Sequence, residues 1–555
     1  MSAAVALEKL TFTYKGQEGP AIREIGLSIA EGRFIAIMGH AGSGKSTLCM
    51  CLNALVPRFF RGELQGAVVV NGIDVAASTV RDMSQAVGFI FQDFESQLVS
   101  TSVELELAFG PENYGVPRSD LRRRVDEYLA LVRLGGLRNR DQASLSGGQK
   151  QLLAIASVLA LETPILVMDE PTSDLDSMGR EQILNIAERA ATRGRSVIMV
   201  EHEPEAVMGT DQIVLMRGGR IVAHDGARSL LSRLDLLEEC GIRPPQLLSL
   251  FQRLGFEESP FTVDESLALL KVGKQALHWT PEPARPLESP TILEARSLSY
   301  IYRDGNIEAL QCVSLRIREG EFLAILGQNG SGKSTLGKLF SGLLRPTSGD
   351  VLAEGENTRA MSRKAFARFA GYVFQNPDCQ IFATTVAEEV SFAPRNFGIP
   401  KDEIRSRVAQ ALRAVRLEGY EERDPFALTR GERQRVAVAS ILVSRPKVLI
   451  LDEPTTGLDY GQQRSMMEML TMLHSAGHTV VIITHSMWVA AEYAARTIVM
   501  RQGQITRDGP TRDVFVDEEI LAAANLRPPP IVQLSNRLGA GALTVDEMAT
   551  ALTVK

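Results

Sequence analysis

The strongest constraint on the fold of this chain is an internal repeat that covers most of its 555 residues. The segment FIAIMGHAGSGKSTL (34–48) returns as FLAILGQNGSGKSTL (322–336), and ILVMDEPTSDLD (165–176) returns as VLILDEPTTGLD (448–459). The offset between the copies is 288 residues from Lys45 to Lys333 but 283 from Glu170 to Glu453, so the first copy has five extra residues, which we place in LVPRFFRGELQG. Self-similarity on this scale predicts two domains of one architecture.

Each copy contains the glycine-rich motif GxxxxGK[ST] between an apolar run and a helical pattern. In that context backbone amides can surround a phosphate at a helix N-terminus, where the helix dipole favours negative charge. Lys45 and Lys333 would then bring a positive charge to the β- and γ-phosphates, and Ser46 and Ser334 would offer a hydroxyl to Mg²⁺. Two complete copies in matching contexts argue against a chance glycine-rich loop. The predicted ATP-binding residues of the loops are Gly39, His40, Ala41, Gly42, Ser43, Gly44, Lys45, Ser46 and Thr47, and Gly327, Gln328, Asn329, Gly330, Ser331, Gly332, Lys333, Ser334 and Thr335.

Four apolar residues followed by Asp-Glu occur in each copy, at 165–170 and 448–453. The pattern predicts buried strands that deliver two carboxylates at their carboxyl ends. We expect Asp169 and Asp452 to hold Mg²⁺ through its water shell. Glu170 and Glu453 are the candidate general bases for the attacking water, because that role requires a carboxylate within hydrogen-bond reach of the water.

Between its phosphate loop and this Asp-Glu pair, the first copy contains LSGGQ (145–149) at the start of an amphipathic helix. With the motifs above, this signature resembles the ABC ATPase superfamily, and the resemblance covers almost the whole chain, twice. It implies an α/β fold of tandem P-loop NTPase domains, each with a RecA-like core, an antiparallel β-subdomain and a helical subdomain that carries the signature. It also implies an intramolecular head-to-tail pair of cassettes, in which each ATP lies between one phosphate loop and the other cassette's signature helix.

The resemblance implies further site residues. Gln92 and Gln375 match the loop glutamine that touches Mg²⁺, and His202 and His485 match the histidine that bonds the γ-phosphate. Tyr14 and Tyr302 match the aromatic residue that stacks on adenine. A lone His or Tyr is more often structural, so these assignments depend on position relative to the stronger motifs. The predicted catalytic residues are Glu170, His202, Glu453 and His485; the predicted Mg²⁺ residues are Ser46, Gln92, Asp169, Ser334, Gln375 and Asp452; the predicted signature residues are Ser146, Gly147, Gly148, Gln149, Thr429, Arg430, Gly431 and Glu432.

The signature of the second copy departs from the family pattern, because it reads LTRGE (428–432). Thr429 keeps a hydroxyl, but Arg430 replaces the first glycine and Glu432 replaces the glutamine. In the head-to-tail arrangement LTRGE serves the ATP on Lys45, and the intact LSGGQ serves the ATP on Lys333. We therefore expect the two ATP sites to differ in rate or affinity.

Repeats outside the main motifs set the predicted domain boundaries. GIRPPQLLSLFQRLG and NLRPPPIVQLSNRLG each follow a cassette and predict a small helical appendage, and the proline-rich ALHWTPEPARPLESP indicates an extended linker. The predicted divisions are the first cassette at 1–235, its appendage and the start of the linker at 236–278, the linker at 279–291, the second cassette at 292–519 and its appendage at 520–555.

Two features resemble the energy-coupling factor importers, which take up vitamins, their precursors and transition-metal ions. They are the glutamine-loop sequences FQNPDCQIF (374–382) and FQDFESQL (91–98), and the RPP appendage with its later TVDE. This resemblance implies ATP and Mg²⁺ as cofactors, and a transmembrane scaffold subunit and a substrate-binding membrane subunit as partners. It also implies a peripheral position on the cytoplasmic face of the cell membrane, since the longest apolar stretches are about half the roughly 20 residues of a membrane span.

Two alternatives remain open. The chain could drive a sugar or other small-solute importer, although fusions of that kind often have a decayed second phosphate loop, and here it is intact. It could also be a soluble tandem-cassette ATPase that acts on ribosomes or DNA, for which we would expect a long charged helical linker or paired zinc-binding cysteines. The net charge of -7 also argues against a general nucleic-acid binder.

Overall fold

The computed structural model describes residues 3–173, 175–272, 289–303 and 307–552. Most of the predicted linker therefore lies outside the described residues, as does Asp174 of the SDLD segment. The strands of the first copy are β1 (Ala3–Tyr14), β2 (Ile22–Ala30), β3 (Phe34–Met38), β4 (Gly62–Val70), β5 (Ile73–Asp74), β6 (Val87–Ile90), β7 (Ile165–Asp169), β8 (Ser196–Val200), β9 (Gln212–Arg217) and β10 (Arg220–Gly226). Those of the second copy are β11 (Thr291–Tyr302), β12 (Ile307–Arg318), β13 (Phe322–Gly327), β14 (Ser348–Ala353), β15 (Glu356–Asn357), β16 (Ala370–Val373), β17 (Val448–Asp452), β18 (Thr479–Thr484), β19 (Arg496–Arg501) and β20 (Gln504–Pro510).

The helices follow the same repeat. Those before the second copy are α1 (Lys45–Leu52), α2 (Leu55–Arg58), α3 (Val80–Met83), α4 (Val103–Asn113), α5 (Arg118–Leu131), α6 (Gly147–Leu159), α7 (Ser177–Thr192), α8 (Pro204–Val207), α9 (Ala227–Leu231), α10 (Leu234–Glu239), α11 (Gln246–Arg253) and α12 (Val263–Val272). The remainder are α13 (Lys333–Phe340), α14 (Arg363–Phe369), α15 (Val386–Asn396), α16 (Lys401–Ala414), α17 (Arg430–Leu442), α18 (Tyr460–Ser475), α19 (Met487–Tyr493), α20 (Thr511–Val516), α21 (Glu518–Ala523), α22 (Pro530–Leu538) and α23 (Val545–Ala551). Among the described residues, none of these helices is both long enough and apolar enough to cross a bilayer.

The main sheet of the first copy has the order β10-β9-β3-β8-β7-β6, parallel except for β10. The phosphate loop follows the inner strand β3, and Gln92, Glu170 and His202 come just after β6, β7 and β8. Since the carboxyl ends of parallel strands lie on one edge of a sheet, this topology brings the predicted site residues together.

The second copy repeats the arrangement. Its main sheet has the order β16-β17-β18-β13-β19-β20, and only β20 is antiparallel. Gln375, Glu453 and His485 again follow three neighbouring strands, and the phosphate loop follows β13. The α/β class that the sequence predicts is confirmed in both copies.

A smaller antiparallel sheet completes the core of each copy, with the orders β2-β1-β4-β5 and β12-β11-β14-β15. In the first copy one apolar core joins Phe12 and Ile25 of this sheet to Leu48 of α1 and Val167 of β7. The second copy has the same kind of core. Because the phosphate-loop helix packs between the two sheets, apolar burial fixes the position of the loop itself.

The signature helices belong to small helical subdomains, as predicted. The helices α4, α5 and α6 pack on one another in the first copy, and α15, α16 and α17 do so in the second. The five extra residues of the first copy lie where α2 and the start of β4 form, and Phe59 and Phe60 of this insertion are exposed.

By compactness the chain divides into two units, Met1–Pro245 with Asp459–Gly461, and Gln246–Leu458 with Gln462–Lys555. The second unit thus contains α11 and α12, which pack on α22 and α23. The amide of Ile531 donates to Oε1 of Gln246 at 3.4 Å, and Arg253 forms an ion pair with Asp546. The predicted boundaries between cassettes, linker and appendages follow the sequence repeat rather than compactness, and they remain predictions.

Candidate nucleotide site

The two phosphate loops have the same backbone conformation. Gly44 and Gly332 precede α1 and α13 with φ of 96° and 99°, in the left-handed region that favours glycine. A Cβ at these positions would lie 2.6 Å from the Ala21 carbonyl oxygen and 2.5 Å from that of Ala309. The glycine that precedes the lysine is therefore required by both torsion and space.

The lysines of the loops are buried and bonded to their own loop. Nζ of Lys45 donates to the carbonyl oxygens of Gly39 (2.8 Å) and His40 (3.0 Å). Nζ of Lys333 donates to those of Gly327 (2.7 Å) and Gln328 (3.0 Å). Burial lowers the pKa of Lys45, against the opposing effect of Glu170 and Asp169. Each lysine ammonium thus lies within its own phosphate loop, where the phosphates of ATP are predicted to bind.

The serine and aspartate predicted to hold Mg²⁺ are neighbours. Oγ of Ser334 donates to Oδ1 of Asp452 at 3.0 Å. In the first copy Oδ1 of Asp169 is buried with no hydrogen-bond partner among the described residues. Burial raises the pKa of Asp169 to about 6, with a further contribution from Glu170. A buried carboxylate beside a hydroxyl fits a hard cation with oxygen ligands such as Mg²⁺, whose charge would offset this burial.

In the first copy the predicted general base is held from two sides. A hydrogen bond of 2.6 Å joins Nε2 of His202 to Oε1 of Glu170, and Nε2 of Gln92 donates to Oε2 at 2.8 Å. Glu170 has a φ of 50°, a left-handed conformation that a non-glycine residue rarely adopts. The structure thus brings together the glutamine, glutamate and histidine that sequence reasoning singled out separately.

In the second copy the corresponding glutamate is enclosed differently. Nδ1 of His485 is joined to Oε1 of Glu453 at 2.9 Å, and the hydroxyls of Thr484 and Thr456 donate to Oε2 at 3.3 Å each. Burial raises the pKa of Glu453, but His485 and Lys333 together bring it below its usual value. The carboxylate is therefore held ionised, as a general base must be.

The two signatures start their helices in the same way. Ser146 and Thr429 are the N-caps of α6 and α17, and each forms a capping box with the residue three positions on. In the second copy the carboxylate of Glu432 also accepts a hydrogen bond from the Tyr420 hydroxyl at 2.9 Å. The guanidinium of Arg430 lies against Gly457. The altered signature thus keeps the capped helix but adds charge at its start.

The tyrosines predicted to stack on adenine have polar contacts at the loop helix. The Tyr14 hydroxyl bonds Oγ1 of Thr47 at 3.0 Å, and the Tyr302 hydroxyl bonds Oγ1 of Thr335 at 3.2 Å. Their rings stand edge-on to Phe12 and Tyr300 respectively. Adenine stacking remains a prediction.

Sequence reasoning missed two buried residues of these sites. The Tyr372 hydroxyl donates to Oδ2 of Asp452 at 2.5 Å, whereas the first copy has Phe89 at this position. Glu201 accepts hydrogen bonds from the Thr172 hydroxyl and, at 3.1 Å, from the amide of His202. Its equivalent in the second copy is Thr484. Alignment of the two copies could have indicated both residues, because an apolar residue aligns with a hydroxyl-bearing one at the first position and an acidic residue aligns with a neutral one at the second.

Comparisons with known proteins agree with this geometry. The family model described as "ABC transporter" matches residues 22–173 and 310–456. A protein of Caldanaerobacter subterraneus subsp. tengcongensis, named as an ABC transporter ATP-binding protein, is 47% identical over 559 residues, which cover 98% of this chain and 98% of that protein. A protein of Methanosarcina acetivorans with the same kind of name is 40% identical over 574 residues, which cover 100% of this chain and 93% of that protein.

Among solved structures, cbiO1 from Clostridium perfringens, part of the ABC transporter complex cbiONQ, is 40% identical with a TM-score of 0.39. The match covers 44% of this chain and 98% of that one. The family model and the full-length relatives decide the assignment. The chain belongs to the ABC transporter family and is an ATPase with two ATP-binding cassettes fused in one polypeptide.

Proposed function

We propose that this ATPase is the motor subunit of an energy-coupling factor type importer. It would couple ATP hydrolysis to uptake of a vitamin, a vitamin precursor or a metal ion through separate membrane subunits. The observation that carries the proposal is an exposed apolar patch shortly after the loop glutamine of each cassette.

The patch of the second cassette consists of Phe382 and Phe392. Their side chains are 58% and 48% exposed, and their rings meet edge to face at 4.6 Å. The equivalent positions in the first cassette are Val99 and Phe109, which are also exposed. Large apolar side chains grouped at the surface are typical of a protein contact site, and aromatic residues are enriched at such sites.

The patch is presented by an ordered segment. A buried carboxylate oxygen of Glu389 accepts the amides of Phe382 (3.0 Å) and Ala383 (2.9 Å). Glu106 does the same in the first cassette for Val99 (3.0 Å) and Ser100 (2.7 Å). Because the backbone is already held, a partner helix could dock without first ordering this segment.

Chemistry would begin at the carboxylates. Glu453 would accept a proton from a water molecule as the water oxygen attacks the γ-phosphorus, and the bond to ADP would break to give ADP and inorganic phosphate. Mg²⁺, where bound, would neutralise charge on the phosphates. Ser334 and Asp452 would hold that ion, and His485 would leave Glu453 to bond the γ-phosphate. Glu170, His202, Ser46 and Asp169 would have the same roles in the first cassette.

The glutamines would connect this chemistry to the membrane partner. Gln92 bonds the predicted base Glu170, and seven residues later the chain reaches Val99 of the patch. A change in nucleotide state that moves Gln92 would therefore also shift the segment that carries the patch. On this proposal the chain lies at the cytoplasmic face of the membrane, with a transmembrane scaffold on the patches and a substrate-binding subunit beside that scaffold.

Isolation of the complex from native membranes tests the proposal. The full chain should be recovered with membrane proteins, and Phe382→Ser together with Phe392→Ser should reduce that recovery while ATP hydrolysis by the purified chain stays unchanged. Met472→Ser is a matched control, since Met472 is also an exposed apolar residue, on α18.

Three outcomes would contradict the proposal. They are recovery of the chain with ribosomes rather than with membranes, equal membrane recovery of the patch variant and the Met472 control, and partner chains typical of a sugar importer. Mass spectrometry of the partner chains and of the bound small molecule distinguishes the importer classes.

A further inference from the structure

In each cassette two short helices follow the last strand of the main sheet, α9 and α10 in the first and α20 and α21 in the second. The turn after the second of these helices contacts the phosphate loop of the same cassette. Gly241 directly follows the C-cap of α10 in the first cassette, and Asn525 directly follows the C-cap of α21 at the equivalent position of the second. Each contacts the second residue of the loop motif, His40 or Gln328. His40 and Gln328 belong to the predicted ATP site, whereas Gly241 and Asn525 lie outside the nucleotide-binding motifs described above and have been given no role.

In the second cassette the contact is a hydrogen bond. Nδ2 of Asn525 donates to Oε1 of Gln328, and the backbone carbonyl of Gln328 accepts Nζ of Lys333 at 3.0 Å. Asn525 is thus linked through one residue to the lysine that should contact the phosphates. Both Asn525 and Gln328 are partly buried, so water competes only in part for this bond.

In the first cassette the contact is steric. A Cβ on Gly241 would lie 2.9 Å from Cβ of His40 and 3.5 Å from its Cα. Real Cβ atoms are essentially never closer than 3.0 Å to such an atom, so a side chain at Gly241 would displace the loop. The carbonyl of His40 in turn accepts Nζ of Lys45 at 3.0 Å.

Helix capping explains only part of this arrangement. Gly241 and Asn525 have φ of 69° and 56°, and the turn is closed by the amides of Ile242 and Leu526, each of which donates back to its helix at 2.9 and 2.8 Å. Glycine and asparagine are the usual residues at such helix ends. Capping does not require a side-chain bond to Gln328 or a close approach to His40.

We infer that Gly241 and Asn525 are positioning residues that brace the two phosphate loops for ATP binding, the first by close contact and the second by a hydrogen bond. The inference requires only that the chain is an ATPase and is independent of the importer proposal. Each lysine must leave two loop carbonyls to reach the phosphates. A braced second residue keeps the loop in its binding conformation while the lysine moves, which lowers the cost of ordering the site.

The second loop can be tested in the full-length chain with Lys45→Ala, so that nucleotide binding reports on the second cassette. Asn525→Gly keeps the helix cap and removes only the bond to Gln328. Because one hydrogen bond is lost, we expect the Kd for Mg-ATP to rise roughly 2- to 12-fold.

The first loop is tested in the reciprocal background, Lys333→Ala. Gly241→Ala should weaken Mg-ATP binding by at least the same factor, because its Cβ pushes His40. Gly255→Ala is the matched control: Gly255 also lies in the turn after a helix, α11, with a φ of 76°, but an added Cβ there meets nothing within 4 Å. Both alanines carry the same backbone strain, and only one reaches a phosphate loop.

Isothermal titration calorimetry measures the Kd values, and thermal unfolding without nucleotide measures stability. The inference is supported if the Kd rises for Asn525→Gly and Gly241→Ala but not for Gly255→Ala. It is overturned if Kd stays within twofold for both test variants, if Gly255→Ala raises it equally, or if unfolding temperature falls while Kd does not change.

Discussion

Replacement of Tyr372 by phenylalanine isolates one hydroxyl group at the predicted magnesium carboxylate of the second cassette. The side chain is only 4% exposed, and its hydroxyl donates to Oδ2 of Asp452 at 2.5 Å. Burial raises the pKa of Asp452, and the bonds from Tyr372 and Ser334 oppose that rise. The variant keeps the packing of the ring and removes one of the two opposing bonds.

The size of the effect follows from the bond that is lost. A hydrogen bond to a charged group contributes about 1.5 to 3 kcal/mol, so the loss of the Tyr372 bond should raise the pKa of Asp452 further above its usual value. The pKa of Asp452 is already higher in the folded than in the unfolded state. Ionisation of Asp452 therefore destabilises the fold as the pH rises through the folded-state pKa. The variant enlarges this effect. Since Mg²⁺ requires the ionised form, the acidic limb of activity should move to higher pH.

The assay is Mg²⁺-dependent ATP hydrolysis as a function of pH, in a Glu170→Gln background that leaves the second cassette as the hydrolysing site. The reciprocal change, Phe89→Tyr, introduces the hydroxyl beside Asp169, whose pKa burial raises to about 6. In a Glu453→Gln background it should move the acidic limb lower. An unchanged limb for Tyr372→Phe, or a shift to lower pH, would refute the reasoning.

Three further predictions concern turnover and stability. Glu453→Gln should reduce steady-state ATP hydrolysis about 100-fold or more at its own site. The loss should exceed that of Glu170→Gln, because the head-to-tail pairing that the family resemblance predicts would give the Glu453 site the intact LSGGQ; equal losses would contradict this. Thr429→Ala removes the cap of α17 and should destabilise the second cassette by about 1 kcal/mol, seen in calorimetry as a fall of roughly 2–4 °C in its transition; an unmoved transition would count against it. Phe251→Ala empties a fully buried site in α11 and should cost about 3–5 kcal/mol in denaturant unfolding, so a loss under about 1 kcal/mol would show that the site collapses freely.

Part of the predicted site could be derived from a regularity of the sequence, and part came from the family resemblance. Each predicted polar residue directly follows an apolar run: Gln92 follows β6, Glu170 follows β7 and His202 follows β8. Apolar runs of this length indicate buried parallel strands, and such strands end at a common edge. The apolar runs predicted only the strands before the phosphate loops and before Glu170 and Glu453, and the family resemblance supplied Gln92 and His202; the observed strand order explains why these residues meet.

Contacts between distant segments could not be derived in this way. The bond from Asn525 to Gln328 and the approach of Gly241 to His40 depend on where α21 and α10 end in space, and no pattern in the sequence encodes that distance. The same holds for Glu201 and Thr172, which are 29 positions apart. Aligned with the second copy, Glu201 is only a difference from Thr484, and the alignment does not indicate its partner.

The exposed patches have a consequence for assembly, because the two cassettes do not present the same face. Val99 and Phe109 stand where the other cassette has Phe382 and Phe392, and the exposed Phe59 and Phe60 belong to an insertion that only the first cassette has. A homodimer of single cassettes would accept a docking partner in two equivalent orientations. Here the two orientations would differ in energy. If the proposed scaffold contacts both cassettes, it should therefore bind in one direction only.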